Sequence, residues 1–145
     1  MKTNKKKFFT ILIAIAIAVN FASCTKKVDN PIGMTPEETV QRYFYYWNEK
    51  NAAGMDSLIY EKSRGNKQLN KLNSVELISC KEYTEKENWY EPWYQNPYDY
   101  TRVDVTFTID VKKGSAFSDG TYDYKFYLVK ENENSDWIIV MLGQP

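Results

Sequence analysis

Thr101-Arg102-Val103-Asp104-Val105-Thr106-Phe107-Thr108-Ile109-Asp110-Val111 decides the fold. Thr101, Val103, Val105, Phe107, Ile109 and Val111 alternate with Arg102, Asp104, Thr106, Thr108 and Asp110. A period of two over this length predicts a strand with one dry face and one wet face, as in an antiparallel sheet covered on one side.

The neighbouring segments extend that reading. Lys112-Lys113-Gly114 and Ser118-Asp119-Gly120 bracket a turn. Thr121 to Glu131 follows as a strand, with Tyr122, Tyr124, Phe126 and Leu128 on one face and Asp123, Lys125 and Tyr127 on the other. A polar turn from Glu131 to Asp136 leads to a short terminal strand, Trp137 to Leu142. Upstream, Leu72 to Tyr83 is a further strand with Val75, Leu77 and Ile78 at its apolar centre. Consecutive antiparallel strands form a meander.

Helices precede the strands. Thr35-Pro36-Glu37-Glu38 carries an N-cap threonine, a proline in the first turn and a glutamate at the third helical position, the elements of a capping box. Val40, Tyr43, Phe44 and Trp47 then fall at i, i+3, i+4 and i+7 on one face of a helix of about 14 residues. Asn51 to Gly54 stops it, and Met55, Leu58 and Ile59 mark a second, short helix. Two helices followed by strands place the chain in the α+β class, with the domain spanning residues 35–145.

The N-terminus reads differently. Lys2, Lys5, Lys6 and Lys7 precede an apolar run from Phe8 to Val19, shorter than the roughly 20 residues a membrane-spanning helix needs and suited to a secretory signal. Phe21-Ala22-Ser23-Cys24 resembles a bacterial lipobox, with Phe where Leu is usual. The resemblance implies cleavage after Ser23, removal of residues 1–23, and lipidation of Cys24. The competing reading is an ordinary signal cut near Ala22 or Ser23. Residues 24–34 then supply the lipidated cysteine and a polar, Pro- and Gly-broken tether, expected to be extended and flexible. These features together predict a cell-membrane, lipid-anchored protein on the extracytoplasmic face.

Composition narrows the chemistry. The 145 residues hold 19 Lys+Arg, 19 Asp+Glu, no histidine and two cysteines. Without histidine there is no Ser-His or Cys-His nucleophile and no mixed Cys/His zinc site. Two cysteines build neither a disulfide scaffold nor a four-thiolate metal site. Removing the signal takes four lysines and no acid, so the remainder is mildly acidic, which argues against nucleic acid as a partner. No cofactor and no metal are expected.

Aromatic residues are the anomaly: 4 Trp, 12 Tyr and 7 Phe. They concentrate in Tyr43–Trp47 and in the stretch from Trp89 to Tyr100, which includes Trp93 and Tyr98 and lies between strands. Tyr43, Trp47, Tyr122 and Tyr124 are candidates to line a cavity, and Trp89, Trp93 and Tyr98 to form a contact surface. Packing of that loop over the domain's own core is the alternative. Asp104, Asp110 and Asp123 alternate onto the wet face, which leaves no carboxylate on the dry one for general acid–base work. Arg102 beside Asp104 and Lys125 beside Asp123 suggest cross-strand charge pairing. Cys80 reads as an edge or partly buried thiol without an activating neighbour.

The order of a long capped helix, a short helix and a curved antiparallel sheet resembles the nuclear-transport-factor-2-like cone fold, in which helices cover the concave face of the sheet. More closely, residues from Met34 to Pro145 resemble a family of small bacterial lipoproteins of unknown function. The carriers are Thr35-Pro36-Glu37-Glu38-Thr39-Val40, the run Tyr43-Phe44-Tyr45-Tyr46-Trp47-Asn48-Glu49-Lys50-Asn51, and the ending Asp136-Trp137-Ile138-Ile139-Val140. That resemblance implies a fold and a location but no activity. Three functions follow as expectations. One is a non-catalytic module taking a small apolar ligand or peptide; another is an interaction or scaffold domain of an envelope complex. The last is a cofactor-free isomerase or hydratase. A cavity of about 300 Å³ or more favours the first, a filled domain with an exposed aromatic loop the second, and a carboxylate aimed into the cavity the third.

Overall fold

The computed structural model describes residues 26–83, 85 and 94–144. The signal segment, Cys24, Trp89 and Trp93 lie outside the described residues. Helix α1 (Pro36–Asn48) and helix α2 (Ala52–Ser57) precede strands β1 (Leu72–Tyr83), β2 (Asp99–Val111), β3 (Gly120–Lys130) and β4 (Ile138–Gly143). Short 3₁₀ turns at Glu61–Ser63 and Leu69–Lys71 carry the chain from α2 to β1.

The start of α1 is closed by its side chains. Glu38 N–H donates to Thr35 Oγ1 at 3.2 Å, and Thr35 N–H donates to Glu38 Oε2 at 2.7 Å, so two otherwise orphaned donors are satisfied. At the other end Lys50 adopts a left-handed conformation (φ 54°), and the Asn51 N–H bonds Tyr46 O at 2.8 Å. Asn51 then caps α2, accepting from Gly54 N–H at 3.0 Å. One residue thus ends the first helix and begins the second.

The strands form a single antiparallel sheet in the order β1-β2-β3-β4. On the dry face Val103, Val105, Phe107 and Ile109 of β2 are buried, with Phe126 opposite Val103 and Leu128 opposite Thr101. From α1, Val40, Tyr43, Phe44 and Trp47 descend onto them, and Phe44 meets Phe107 at 5.2 Å and Phe126 at 5.7 Å between ring centroids. Each such apolar side chain taken from water stabilises the fold by roughly 1.5–3 kcal/mol before entropy is counted. α1 runs antiparallel to β1: Glu37 Oε1 accepts from Glu82 N–H at 2.7 Å near its start, and Asn48 Oδ1 accepts from Val75 N–H at 3.1 Å at its end.

The expected nuclear-transport-factor-2-like cone is not formed. The sheet remains an open four-stranded meander, with β1 and β4 at opposite edges, and it neither curls round nor closes. β4 is short and pairs with only the Lys125–Val129 part of β3, and its outer edge meets the segment after α2 through the parallel bridge Ile59 to Ile139 and a bond from Ser63 Oγ. A dry face and a wet face are common to any helix-covered sheet, so the alternation that revealed the strands carried no information on closure.

Two local details also differ from the sequence reading. Ile78, taken as part of the apolar centre of β1, is more than half exposed, because register shifts at Leu72/Ser74 and Leu77/Ser79 turn the strand. Arg102 and Asp104 pair along one strand (Nε–Oδ1 2.8 Å, Nη2–Oδ2 3.2 Å), while Asp123 accepts from Thr106 Oγ1 at 2.7 Å and Lys125 stands opposite Asp104. The Arg102 guanidinium also lies 3.6 Å from the centroid of the Tyr83 ring, its cross-strand neighbour.

Residues Lys26–Met34 lie against the helices. The Asp29 N–H donates to Tyr46 Oη at 2.8 Å, Tyr46 Oη donates to Asn30 Oδ1 at 2.9 Å, and Asn30 Nδ2 donates to Ser57 Oγ at 2.8 Å. Asn51 Nδ2 donates to Lys27 O at 3.2 Å, and Gly33 N–H to Asp136 Oδ1 at 3.0 Å. Met34 is buried in the core at the end of this strap.

Candidate functional site

The short reach of β4 leaves a space between helices and sheet edge. A cavity of about 590 Å³ opens there, walled by α1, α2, the loop 62–67, Phe117 and β4. Trp47, Met55, Ile59, Phe117, Ile139 and Leu142 make its surface mainly apolar. Lys62, Ser63, Gly65 and Asn66, all exposed, form the mouth. Volume and character match sites that take small molecules, which run about 300–1,000 Å³ and are predominantly apolar with a few placed polar groups.

The walls are pinned by the backbone. Tyr60 N–H donates to Ile139 O at 2.8 Å, Ile139 N–H to Leu58 O at 2.9 Å, and Ser63 Oγ to Val140 O at 2.5 Å. These bonds tie the segment after α2 to the edge of β4, and the loop beyond Ser63 then swings away and leaves the opening. Lys67 Nζ bonds the Asp56 carboxylate in an ion pair whose lysine side is largely buried.

Tyr43 is the polar group within the apolar wall. It is 5 % exposed, lies edge-on to Phe126 at 5.5 Å between centroids, and lines the cavity. Its hydroxyl makes no hydrogen bond to any described residue, yet no fully enclosed side-chain oxygen or nitrogen among them is left without a partner, so the hydroxyl is not sealed off. Burial pushes its ionisation well above the ordinary phenol range, and the Asp56 charge and Tyr124 push it the same way. The group is a neutral hydroxyl at any physiological pH.

The residues singled out from the sequence fall into separate places. Tyr43 and Trp47 line the cavity. Tyr122 and Tyr124 lie on the same sheet face but pack round Phe107, at 5.7 Å and 5.3 Å, and round Phe117, at 5.6 Å and 6.3 Å. Tyr122 Oη donates to Ser118 O at 3.0 Å, which fastens the β2–β3 turn. Tyr124 ionises above the usual range through burial and the neighbouring Tyr122. Tyr98 is 60 % exposed, away from the cavity, and its N–H bonds Lys130 O. Next to it in the aromatic stretch, Tyr94 donates to Glu131 Oε1 at 2.7 Å and packs edge-on against Tyr60 at 5.3 Å.

Sequence reasoning missed Lys62, Ser63 and Lys67, and the contribution of β4. The segment from Glu61 to Lys67 is polar and without periodicity, and nothing in it marks a wall of a cavity. Leu142 carried a signal that was not used: it is a large apolar residue left exposed at the end of short edge strand β4.

Among the described residues no group of three His, Cys, Asp or Glu side chains is placed to hold a metal ion, and no helix is long and apolar enough to cross a membrane. No Asp or Glu among the described residues lines the cavity; the carboxylate of Asp56, the acid that acts on Tyr43, is tied to Lys67. Cys80 is half buried on edge strand β1, with its Sγ 3.7 Å from Glu37 O. Burial, with the Glu37 charge, pushes its thiol up to about 12, so the reactive thiolate is suppressed.

No curated protein and no solved structure gives a significant match to the chain. Residues 37–143 match a family model described as a domain of unknown function, DUF4829, a span that runs from the second residue of α1 to the end of β4. The protein therefore belongs to the DUF4829 family, as an uncharacterised domain of α+β architecture.

Proposed function

We propose that the domain is a non-catalytic binding module, tethered to the extracytoplasmic face of the membrane through a lipid on Cys24, that takes a small apolar ligand into the cavity beside β4. The observation that carries this reading is the cavity itself: about 590 Å³, apolar walls and one unpartnered hydroxyl, Tyr43. Desolvating such walls on ligand entry supplies the affinity, and the few polar groups orient what enters. The membrane part of the proposal rests on the basic start, the apolar run from Phe8 to Val19, and the lipobox-like Phe21-Ala22-Ser23-Cys24.

The test for binding is fluorescence enhancement of N-phenyl-1-naphthylamine, an uncharged apolar probe. The wild-type chain gives saturable enhancement, and Leu142→Trp, which fills the cavity from a half-open position, abolishes it while preserving the circular dichroism spectrum. Enhancement that survives in this variant defeats the reading. For the anchor, intact-mass measurement of membrane-extracted protein shows a diacylated chain beginning at Cys24; a soluble product beginning at Ala22 or Thr25 defeats it.

An envelope-protein partner is the second reading. It is supported by the exposure of Tyr98, at 60 %, on the aromatic stretch.

A further inference from the structure

We infer that the ligand of this cavity is a single-chain amphiphile with an anionic head, a carboxylate in the simplest case, whose apolar chain occupies the walls. This rests on the binding reading above and adds the chemical class of what binds.

The inference comes from the charges round the opening. Among the described residues two cationic side chains, Lys62 and Lys67, line the cavity, and no carboxylate does. The Lys67 charge is answered by Asp56, immediately outside the lining. Lys62 has no ion-pair partner among the described residues; its Nζ stands 5.9 Å from the centroid of the Tyr60 ring, at the exposed mouth. Among the described lining residues, pairing leaves one positive charge at the opening. A neutral apolar ligand leaves that charge unused. A cationic amphiphile places like charges together at the mouth, a repulsion stronger than in bulk water though moderated by solvent. An anionic head satisfies it.

Tyr43 adds a second constraint. The residue is almost wholly buried, and its neutral hydroxyl makes no hydrogen bond to any described residue. A purely hydrocarbon occupant that dries the cavity strips the hydroxyl of water and returns nothing, which is the costly way to bury a polar group. An oxygen acceptor on the ligand removes that cost. The suppressed ionisation keeps the phenol as a donor instead of a second negative charge that would repel an anion.

The charge balance also separates this pocket from the shallower groove of about 500 Å³ on the other side of α1, between Pro31, Ile32, Met34, Glu38, Arg42 and Tyr45. There the Arg42 guanidinium already stacks over Tyr45 and Tyr46 at 5.3 Å and 5.7 Å, and Glu38 lies alongside. That groove presents no surplus charge of either sign.

The test is displacement of N-phenyl-1-naphthylamine from the full chain by three ligands with the same twelve-carbon tail, each below its critical micelle concentration. These are dodecanoate, dodecanol and dodecyltrimethylammonium. Dodecanoate displaces the probe at a concentration at least tenfold lower than dodecyltrimethylammonium, with dodecanol between them. Lys62→Glu, a change at an exposed position, removes or reverses that order without altering the melting temperature. Tyr43→Phe weakens dodecanoate severalfold but leaves the order of the three unchanged. Equal displacement by all three overturns the head-group inference while leaving apolar binding intact, as does an order that persists in Lys62→Glu. Failure of the probe and of every ligand to bind overturns both this inference and the binding module on which it rests.

Discussion

Gly54 lies face-on beneath the ring of Tyr46: a Cβ at position 54 would sit 2.4 Å from Tyr46 Cδ1 and 2.5 Å from Cγ. The first turn of α2 reaches the underside of α1 only because residue 54 has no side chain. In an ordinary helix Gly→Ala gains about 1 kcal/mol. Here the contact is with a ring that is 1 % exposed and hydrogen-bonded at its far end, so it cannot swing aside. Gly54→Ala is expected to destabilise by about 1–3 kcal/mol, the usual cost of overfilling a packed site. A thermal melt that rises, or stays put, would show that α2 shifts freely.

The same tyrosine holds the strap. Tyr46→Phe keeps the ring over Gly54 and removes the hydroxyl that accepts from Asp29 and donates to Asn30. Two lost hydrogen bonds at a part-buried position cost about 1–3 kcal/mol in all. The loss is local: amide exchange at residues 27–33 accelerates while the strands keep their protection. Acceleration spread evenly over the domain would contradict this.

Thr35→Ala opens the capping box and costs about 1 kcal/mol. The restoring control is Thr35→Ser, which retains the hydroxyl that accepts from Glu38 N–H. If both variants melt alike, the cap contributes nothing.

Cys80 and Tyr43 give a pH signature. Both groups are held neutral in the folded state, with Cys80 shifted from 9.0 to about 12 and Tyr43 raised above its usual value of 10.0. Above pH 9 the unfolded chain releases these protons before the folded one does, so the unfolded state binds fewer protons and stability falls as pH rises. The expected loss runs from about pH 9 to pH 12, and Cys80→Ala relieves the part that begins near pH 9. In the folded chain at pH 8, alkylation of Cys80 by iodoacetamide, read by peptide mapping, runs at least about a hundredfold slower than in urea, because the thiolate is scarce. Equal rates in the two conditions would place the thiol outside its present surroundings.

Much of the architecture was readable because it depends on local pattern. The capping box at Thr35 and Glu38, the Val40–Trp47 face and the alternation from Thr101 to Val111 each specify an element without reference to the rest of the chain. What failed to show was set by contacts between distant segments. Closure depends on strand number, bulges and what meets the last edge, none of which alternation records, so the cone expectation had no physical support beyond element order. The cavity was half legible. Tyr43 and Trp47 stood out as large rings on a core-facing helix. Lys62 and Ser63 acquire their place only when the segment after α2 bonds to β4, about 77 residues later in the chain. Tyr122 and Tyr124 have the correct face but meet Phe117 and Phe107 before they reach the cavity.

The strap gives the chain a leash of two lengths. Extended, the nine residues from Lys26 to Met34 would reach about 30 Å, at 3.3–3.6 Å per residue. Docked through Tyr46, Asn51 and Asp136, the same residues are held against the helices and the segment between β3 and β4. A pull applied at residue 24 is therefore borne first by a few hydrogen bonds of the strap, before the core feels it. The bonds sit at successive positions along the strap, residues 27, 29, 30 and 33, so such a pull meets them in turn before it reaches Met34 in the core.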